Sequence, residues 1–187
     1  MSDVLKDQLR AKVRGIVPAD TDTADKRIRE RILTHPWMKE ARSVFIYVSM
    51  QGEPDTRVLI GECLREGKTV LVPKCVSKTE MIAVRIRDLE ELTPGALGIP
   101  EPPDSMPWTG DISLALVPCV AASRDGARIG HGAGYYDRFL ARYKPRTICL
   151  CYKERLLDEI PMDTGDIYMD AVITQTETIQ REGEYRK

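Results

Sequence analysis

The sequence of 187 residues is short of several things, and each shortage excludes something. Net charge is nearly absent: 28 Lys and Arg stand against 29 Asp and Glu. No global field therefore holds the chain on nucleic acid or on an anionic membrane, and an anionic ligand must be met by a local cluster of cations. No apolar run approaches the length of a membrane span, and the opening MSDVLKDQLRAKVRG lacks the apolar segment of a secretory signal. The expectation is a soluble cytoplasmic protein, without nucleic acid or membrane as partner. Cys63, Cys75, Cys119, Cys149 and Cys151 are odd in number and form no C-x-x-C pair or metal-ligand spacing, so they read as reduced thiols in a reducing compartment. There are only two histidines, and no GxSxG or paired Cys/His motif, so nothing marks a protein nucleophile.

What is present is an ordinary globular mix, long enough for one domain with a real core. Residues 3–14 carry Val4, Leu5, Leu9 and Val13 at helical spacing, with Lys6, Arg10 and Arg14 on another face. Asp20 or Thr21 caps a second helix that runs to about Thr34, where His35-Pro36 breaks it. Ser43–Ser49, SVFIYVS, reads as a strand rich in β-branched and aromatic residues. A helix follows from Asp55 or Thr56 to Gly67, then strands at Thr69–Val72 and Met81–Ile86. Residues 93–110 hold five of the twelve prolines and read as an ordered extended loop. Ile112–Val117 is a buried strand, Asp125-Gly126 a hairpin turn, Gly134–Tyr143 a helix, and Thr147–Cys151 and Ala171–Thr174 the last strands. Alternation places Cys149 and Cys151 on one face. The tail from Thr176, ending EGEYRK, is polar and expected to fray. This order argues for an α/β fold: a single-domain three-layer sandwich, residues 1–187, with a mostly parallel central sheet flanked by helices.

The most informative stretch is Arg128–Leu140, RIGHGAGYYDRFL. Glycines at 130, 132 and 134 stand immediately before a helix start. Without Cβ atoms, successive amides can turn inward around an anion, and the helix N-terminus adds unpaired donors. The loop lacks the G-K-[ST] end of a P-loop, having Tyr135 and Tyr136 there, and it sits too late in the chain for a dinucleotide fingerprint. A flexible loop or a tight packing corner would read the same way. Arg128 and Arg138 flank the loop as possible phosphate partners, and Asp137 in the first helical turn suits Mg²⁺. It equally suits the helix dipole alone.

This stretch resembles the ATP- and folate-binding signature of the 5-formyltetrahydrofolate cyclo-ligase family. Lys6-Asp-Gln-Leu-Arg10 resembles the family's K-x-x-x-R pair on its first helix, and Tyr47–Glu53, YVSMQGE, its folate-holding strand end. Leu97-Gly-Ile-Pro-Glu-Pro102 and Ile160–Thr174 continue the pattern, so the resemblance spans almost the whole chain. It implies ATP as co-substrate and 5-formyltetrahydrofolate as substrate, converted to 5,10-methenyltetrahydrofolate with release of ADP and phosphate. The route it implies is phosphorylation of the formyl oxygen followed by attack of N10. By the same resemblance Lys6, Arg10 and Arg128 serve catalysis at the phosphates, and Arg128, Ile129, Gly130, His131, Gly132, Ala133, Gly134, Tyr135 and Tyr136 wrap the nucleotide. His131–Tyr135 also touch folate, Val48, Met50 and Glu53 line the pterin site, and Asp137 and Asp166 hold Mg²⁺. The protein is expected to act as a monomer.

One departure stands out. Where the family reads P-G-x-A-F-D, this chain has Pro118-Cys-Val-Ala-Ala-Ser123, so Ala122 and Ser123 replace an aromatic and an acid. That leaves open a family paralogue using ATP on a different amide, and, from another class, a non-catalytic module that binds a phosphorylated metabolite.

Overall fold

The computed structural model describes residues 2–95, 98–103 and 106–181. Leu97 of the Leu97–Pro102 segment and the terminal EGEYRK lie outside these.

The chain begins with helices α1 (Ser2–Val13), α2 (Thr21–Thr34) and α3 (Pro36–Glu40). Asp20 caps α2, its carboxylate accepting the Thr23 amide at 3.0 Å. Pro36 ends α2 as expected, but it does so by starting α3 at the position where proline needs no amide donor. Strand β1 (Ser43–Ile46) is shorter than expected. Tyr47, Val48 and Ser49 remain buried but leave the sheet, because Thr56 ties them to the next helix. Its hydroxyl donates to the Tyr47 carbonyl at 2.6 Å and accepts the Ser49 amide at 3.1 Å. Then come α4 (Arg57–Arg65), β2 (Thr69–Cys75) and β3 (Met81–Ile86). The proline-rich loop contains a small antiparallel pair, β4 (Thr93–Pro94) and β5 (Pro100–Glu101).

The second half runs β6 (Leu114–Pro118), β7 (Ala121–Ser123), β8 (Arg128–Ile129), α5 (Tyr135–Tyr143), β9 (Arg146–Leu150), β10 (Leu156–Leu157), β11 (Ala171–Ile173) and β12 (Thr178–Gln180). The main sheet has the order β12-β11-β9-β6-β1-β2-β3. The five central strands are parallel, and β3 and β12 close the two edges antiparallel. The tail was expected to fray from Thr176, yet Thr178–Gln180 pairs with β11 as an edge strand, polar because only one side of it meets protein. The turn at Asp125-Gly126 does form a hairpin, β7 with β8, inside a separate three-stranded sheet with β10.

Period-two alternation sends side chains of the main sheet into two cores. Val44, Ile46, Leu114, Leu116, Ile148 and Leu150 face one side and pack with Ile28, Ile32, Leu59 and Ile60 of α2 and α4. Phe45, Ala115, Val117, Cys149 and Cys151 face the other, with Phe139 and Leu140 of α5. The Phe45 and Phe139 rings stack at 4.3 Å. This is the expected three-layer α/β sandwich, and Cys149 and Cys151 share a face as anticipated. A third cluster, Val13, Ala121, Ala127, Ile129 and Ile160, seats α1 on the small sheet. Here the helix differs from its sequence pattern. Leu9 and Val13 pack, whereas Val4 and Leu5 are exposed and Lys6 is buried. Lys6 turns inward to Asp163 and Asp166, Arg10 is half-buried, and Arg14 stays exposed.

Candidate active site

The chain runs from β1 out to β2 and β3, then returns to lay β6 on the other side of β1. The strand order reverses between β1 and β6, and in open α/β sheets the crevice beyond the carboxyl ends of such strands is the natural ligand site. A cavity of about 270 Å³ lies there. Tyr47 and Val48 follow β1, Pro118 and Cys119 end β6, and Pro73 and Cys75 end β2; all face it.

Every residue singled out from the sequence as catalytic, nucleotide-binding, folate-binding or metal-binding lines this one cavity: Lys6 and Arg10 from α1, Val48, Met50 and Glu53 after β1, all of 128–137, and Asp166. Arg138 is the exception among the residues considered. Its guanidinium donates to the Thr79 and Ala133 carbonyls, each at 2.7 Å, and so fastens the loop from outside.

The glycine loop has the conformation its sequence suggests. Gly132 and Gly134 take φ of 100° and 67°, a region that L side chains rarely adopt. The main-chain N–H groups of 130–134 donate to no other described residue. Arg10 Nε donates to the Gly130 carbonyl at 2.8 Å, which ties the first helix to a loop 120 residues away. Arg128 is buried, with Nη2 donating to Asp137 Oδ1 at 2.9 Å and its Nε left without a partner. An unpaired buried guanidinium N–H carries a desolvation cost that an incoming anion would remove. The Ile167 amide donates to the same Asp137 oxygen at 3.1 Å.

Lys6 donates to Asp163 at 2.8 Å and also to Asp166. Burial opposes its charge, but the hydrogen bonds it donates to these two carboxylates, together with their negative charges, outweigh that and raise the lysine pKa. Asp163 escaped the sequence reading. Its only local sign is the D-x-x-D spacing, closed by the Asp163 amide on Asp166 Oδ2 at 2.7 Å. Beside the loop, the Glu53 side chain is almost fully enclosed, accepts the Met50 amide at 3.0 Å, and lies 3.4 Å from His131 Nε2. His131 itself is 68% exposed. Tyr47 lies beneath; burial first, then the charge of Glu53, push its phenol well above the ordinary range, and its hydroxyl donates to Pro54 O. Glu101, Cys75, Ile99 and Cys119 also line the cavity and were not anticipated.

The departure at Ala122-Ser123 does not face this cavity. Ala122 packs in the core with Phe139, and Ser123 donates to Asp125 at 2.6 Å within the hairpin. Among the described residues no three His, Cys, Asp or Glu side chains converge as a ready metal cage, and no helix is long and apolar enough to cross a membrane.

The model of the 5-formyltetrahydrofolate cyclo-ligase family matches residues 2–175. This chain belongs to that family. A probable 5-formyltetrahydrofolate cyclo-ligase of Caenorhabditis elegans is 32% identical, over 94% of this chain and 93% of that protein. One from Schizosaccharomyces pombe is 33% identical, over 94% and 97%. The solved structure of Aquifex aeolicus 5,10-methenyltetrahydrofolate synthetase superposes with a TM-score of 0.84 at 26% identity, covering 100% of this chain and 96% of that one. The cyclo-ligase family membership thus extends over the helix that brings Lys6 and Arg10, the glycine loop, and the Asp163–Asp166 turn alike.

Proposed function

We propose that this protein converts 5-formyltetrahydrofolate to 5,10-methenyltetrahydrofolate using ATP, with release of ADP and phosphate. The observation that carries the reading is the meeting of Arg10, Arg128 and the amides of 130–134 around one cavity whose other end is lined by Glu53, Val48 and Tyr47. A formyl carbon bound to N5 is an amide carbon: a weak electrophile whose oxygen leaves poorly. Transfer of the γ-phosphoryl to that oxygen corrects both faults, and attack by N10 then expels phosphate. Such transfer depends on positioning and charge stabilisation rather than on a protein nucleophile. Lys6, Arg10 and Arg128 hold the phosphates, and the loop amides complete the cradle. Glu53 accepts N–H donors from the pterin edge, with Val48 and Met50 against the ring and residues 131–135 touching both ligands.

The charge pattern also favours Mg²⁺. Arg128 is paired with Asp137, and Lys6 with Asp163 and Asp166. A bare polyphosphate would compete with those carboxylates. MgATP brings anionic oxygens for the cations and a cation for the acids. Two carboxylates on one cavity suit an ion that takes its remaining ligands from phosphate and water. Asp137 and Asp166 would hold it, and it would supply neutralising charge at the phosphates.

We read the protein as a monomer, with residues 1–187 as one catalytic domain. The balanced charge and reduced cysteines suit the cytoplasm. The test is to mix protein, MgATP and 5-formyltetrahydrofolate and to follow the methenyl absorbance, with arms lacking ATP or containing excess chelator. Absorbance that rises only in the complete mixture supports the reading. ATP consumption with a different amide and none with the folate would favour a paralogue activity, and binding without turnover a non-catalytic module.

A further inference from the structure

The proposed reaction leaves one proton unaccounted for. N10 is a secondary amine; when its lone pair forms the new bond to the formyl carbon, its N–H proton must go to a base before phosphate can leave with the carbon–oxygen electron pair. None of the residues assigned above performs this step. Glu53 is engaged by the Met50 amide and by His131, and is reserved for the pterin edge.

The cavity holds a second enclosed glutamate. Glu101, on β5, is 8% exposed and faces the cavity. Its carboxylate is held in place: Oε1 accepts the Cys75 amide at 3.2 Å, and Gly95 leaves room beside it, since a Cβ there would come within 2.6 Å of the carboxyl group. Lys74 anchors the chain just beyond, donating to the Pro102 and Pro103 carbonyls at 2.7 and 2.9 Å. Cys75 and Tyr135 are the titratable groups beside it. Burial, then the charge of Glu101, push the Cys75 thiol up. The thiol thus stays protonated and leaves the carboxylate as the base at this place.

The order of groups along the cavity matches the order of atoms in the substrate. Glu53 meets the glycine loop at His131, whereas Glu101 is held by the end of β2. Just beyond that end the Ser77 carbonyl accepts the hydroxyl of Tyr135 at 2.8 Å, at the other end of the loop. One carboxylate therefore stands at each end of the loop. In 5-formyltetrahydrofolate the pterin donor edge, the N5-formyl group and N10 follow one another in that sequence. With the pterin edge at Glu53 and the formyl oxygen at the loop, N10 falls on the side of Glu101. We infer that Glu101 is a catalytic residue that accepts the N10 proton as the methenyl bridge closes. In this step the N10–H bond breaks and its electron pair returns to nitrogen. The proton passes to the Glu101 carboxylate, and the carbon–oxygen bond then breaks to release inorganic phosphate and the methenyl cation.

The inference rests on the proposed reaction, so the experiment separates the two. ADP release and methenyl absorbance are followed together in wild type, Glu101→Gln and Glu101→Asp, with thermal melting as the check on folding. Wild type forming no methenyl product would overturn both the reaction and this role. If Glu101 is the base, Glu101→Gln slows methenyl formation roughly 100-fold, as loss of a general base does. Its KM for ATP is unchanged, and ADP outruns methenyl product, because the phosphorylated intermediate is hydrolysed back to substrate when N10 cannot close. Glu101→Asp recovers part of the rate. A Glu101→Gln enzyme within threefold of wild type, or one in which ADP and methenyl product decline in step, would overturn the role.

Discussion

The two ends of the cavity are built by different means. The end assigned to phosphate is assembled from segments remote in the chain, α1, residues 128–137 and 163–166, and side-chain hydrogen bonds such as Arg10 to Gly130 and Lys6 to Asp163 join them. The end assigned to folate grows out of the sheet: Tyr47, Val48 and Pro73 continue buried strands, and Glu53 and Glu101 are set by main-chain amides. One end consists of paired charges that would exchange partners with the proposed ligand. The other is a rigid wall whose shape the core has already fixed. Substitutions at the first end should therefore act on ATP and turnover, and substitutions at the second on the folate.

Arg128→Ala should break the first end most severely. It removes a buried, partly unpaired guanidinium and leaves Asp137 without its partner, so kcat/KM for ATP should fall about 100-fold, corresponding to about 2–3 kcal/mol. Steady-state kinetics within threefold of wild type would take Arg128 out of the phosphate site. Arg10→Ala comes next, at roughly 30-fold for the same quantity, because one side chain both braces Gly130 and offers charge. Arg138→Ala is the matched control: it also touches the loop, but from outside, so a loss as large as that of Arg10→Ala would show that bracing alone explains the effect. Glu53→Gln tests the second end. The folate KM should rise about tenfold while the ATP KM moves less, since a carboxylate accepts pterin N–H donors better than an amide does. The reverse order would exchange the two ends.

How much of this was legible in the sequence follows the same division. The glycine loop announces itself, because positive φ at 132 and 134 demands glycine and leaves the pattern in the string. The central strands are legible from β-branched runs, and the shared face of Cys149 and Cys151 from alternation. The polar strand at Thr178–Gln180 was not legible, since an edge strand lacks the apolar signature of a buried one. In the sequence Lys6 stands only as one of three cations on a helix face; its partners Asp163 and Asp166 lie 157 and 160 residues away. Glu101 lies in the family-like Leu97–Pro102 segment, but nothing local marks it or Cys75 as part of a site; β2 and β5 bring them together only in three dimensions. Local chemistry writes itself into local sequence, whereas convergence of distant segments shows only through the fold or through resemblance to a family.

His131 gives the smallest effect and the sharpest line between the two ends. Lying inside the glycine loop, it would be expected to hold a phosphate. The structure gives it another neighbour: the ring is largely exposed and lies 3.4 Å from Glu53 at the folate end. With one partner this exposed, such a pair is worth little, under about 1 kcal/mol. His131→Ala should therefore raise the folate KM by no more than about threefold and leave the ATP KM unchanged. An ATP KM that rose in His131→Ala as much as the folate KM would move this residue to the phosphate end and shift the boundary between the two halves of the site.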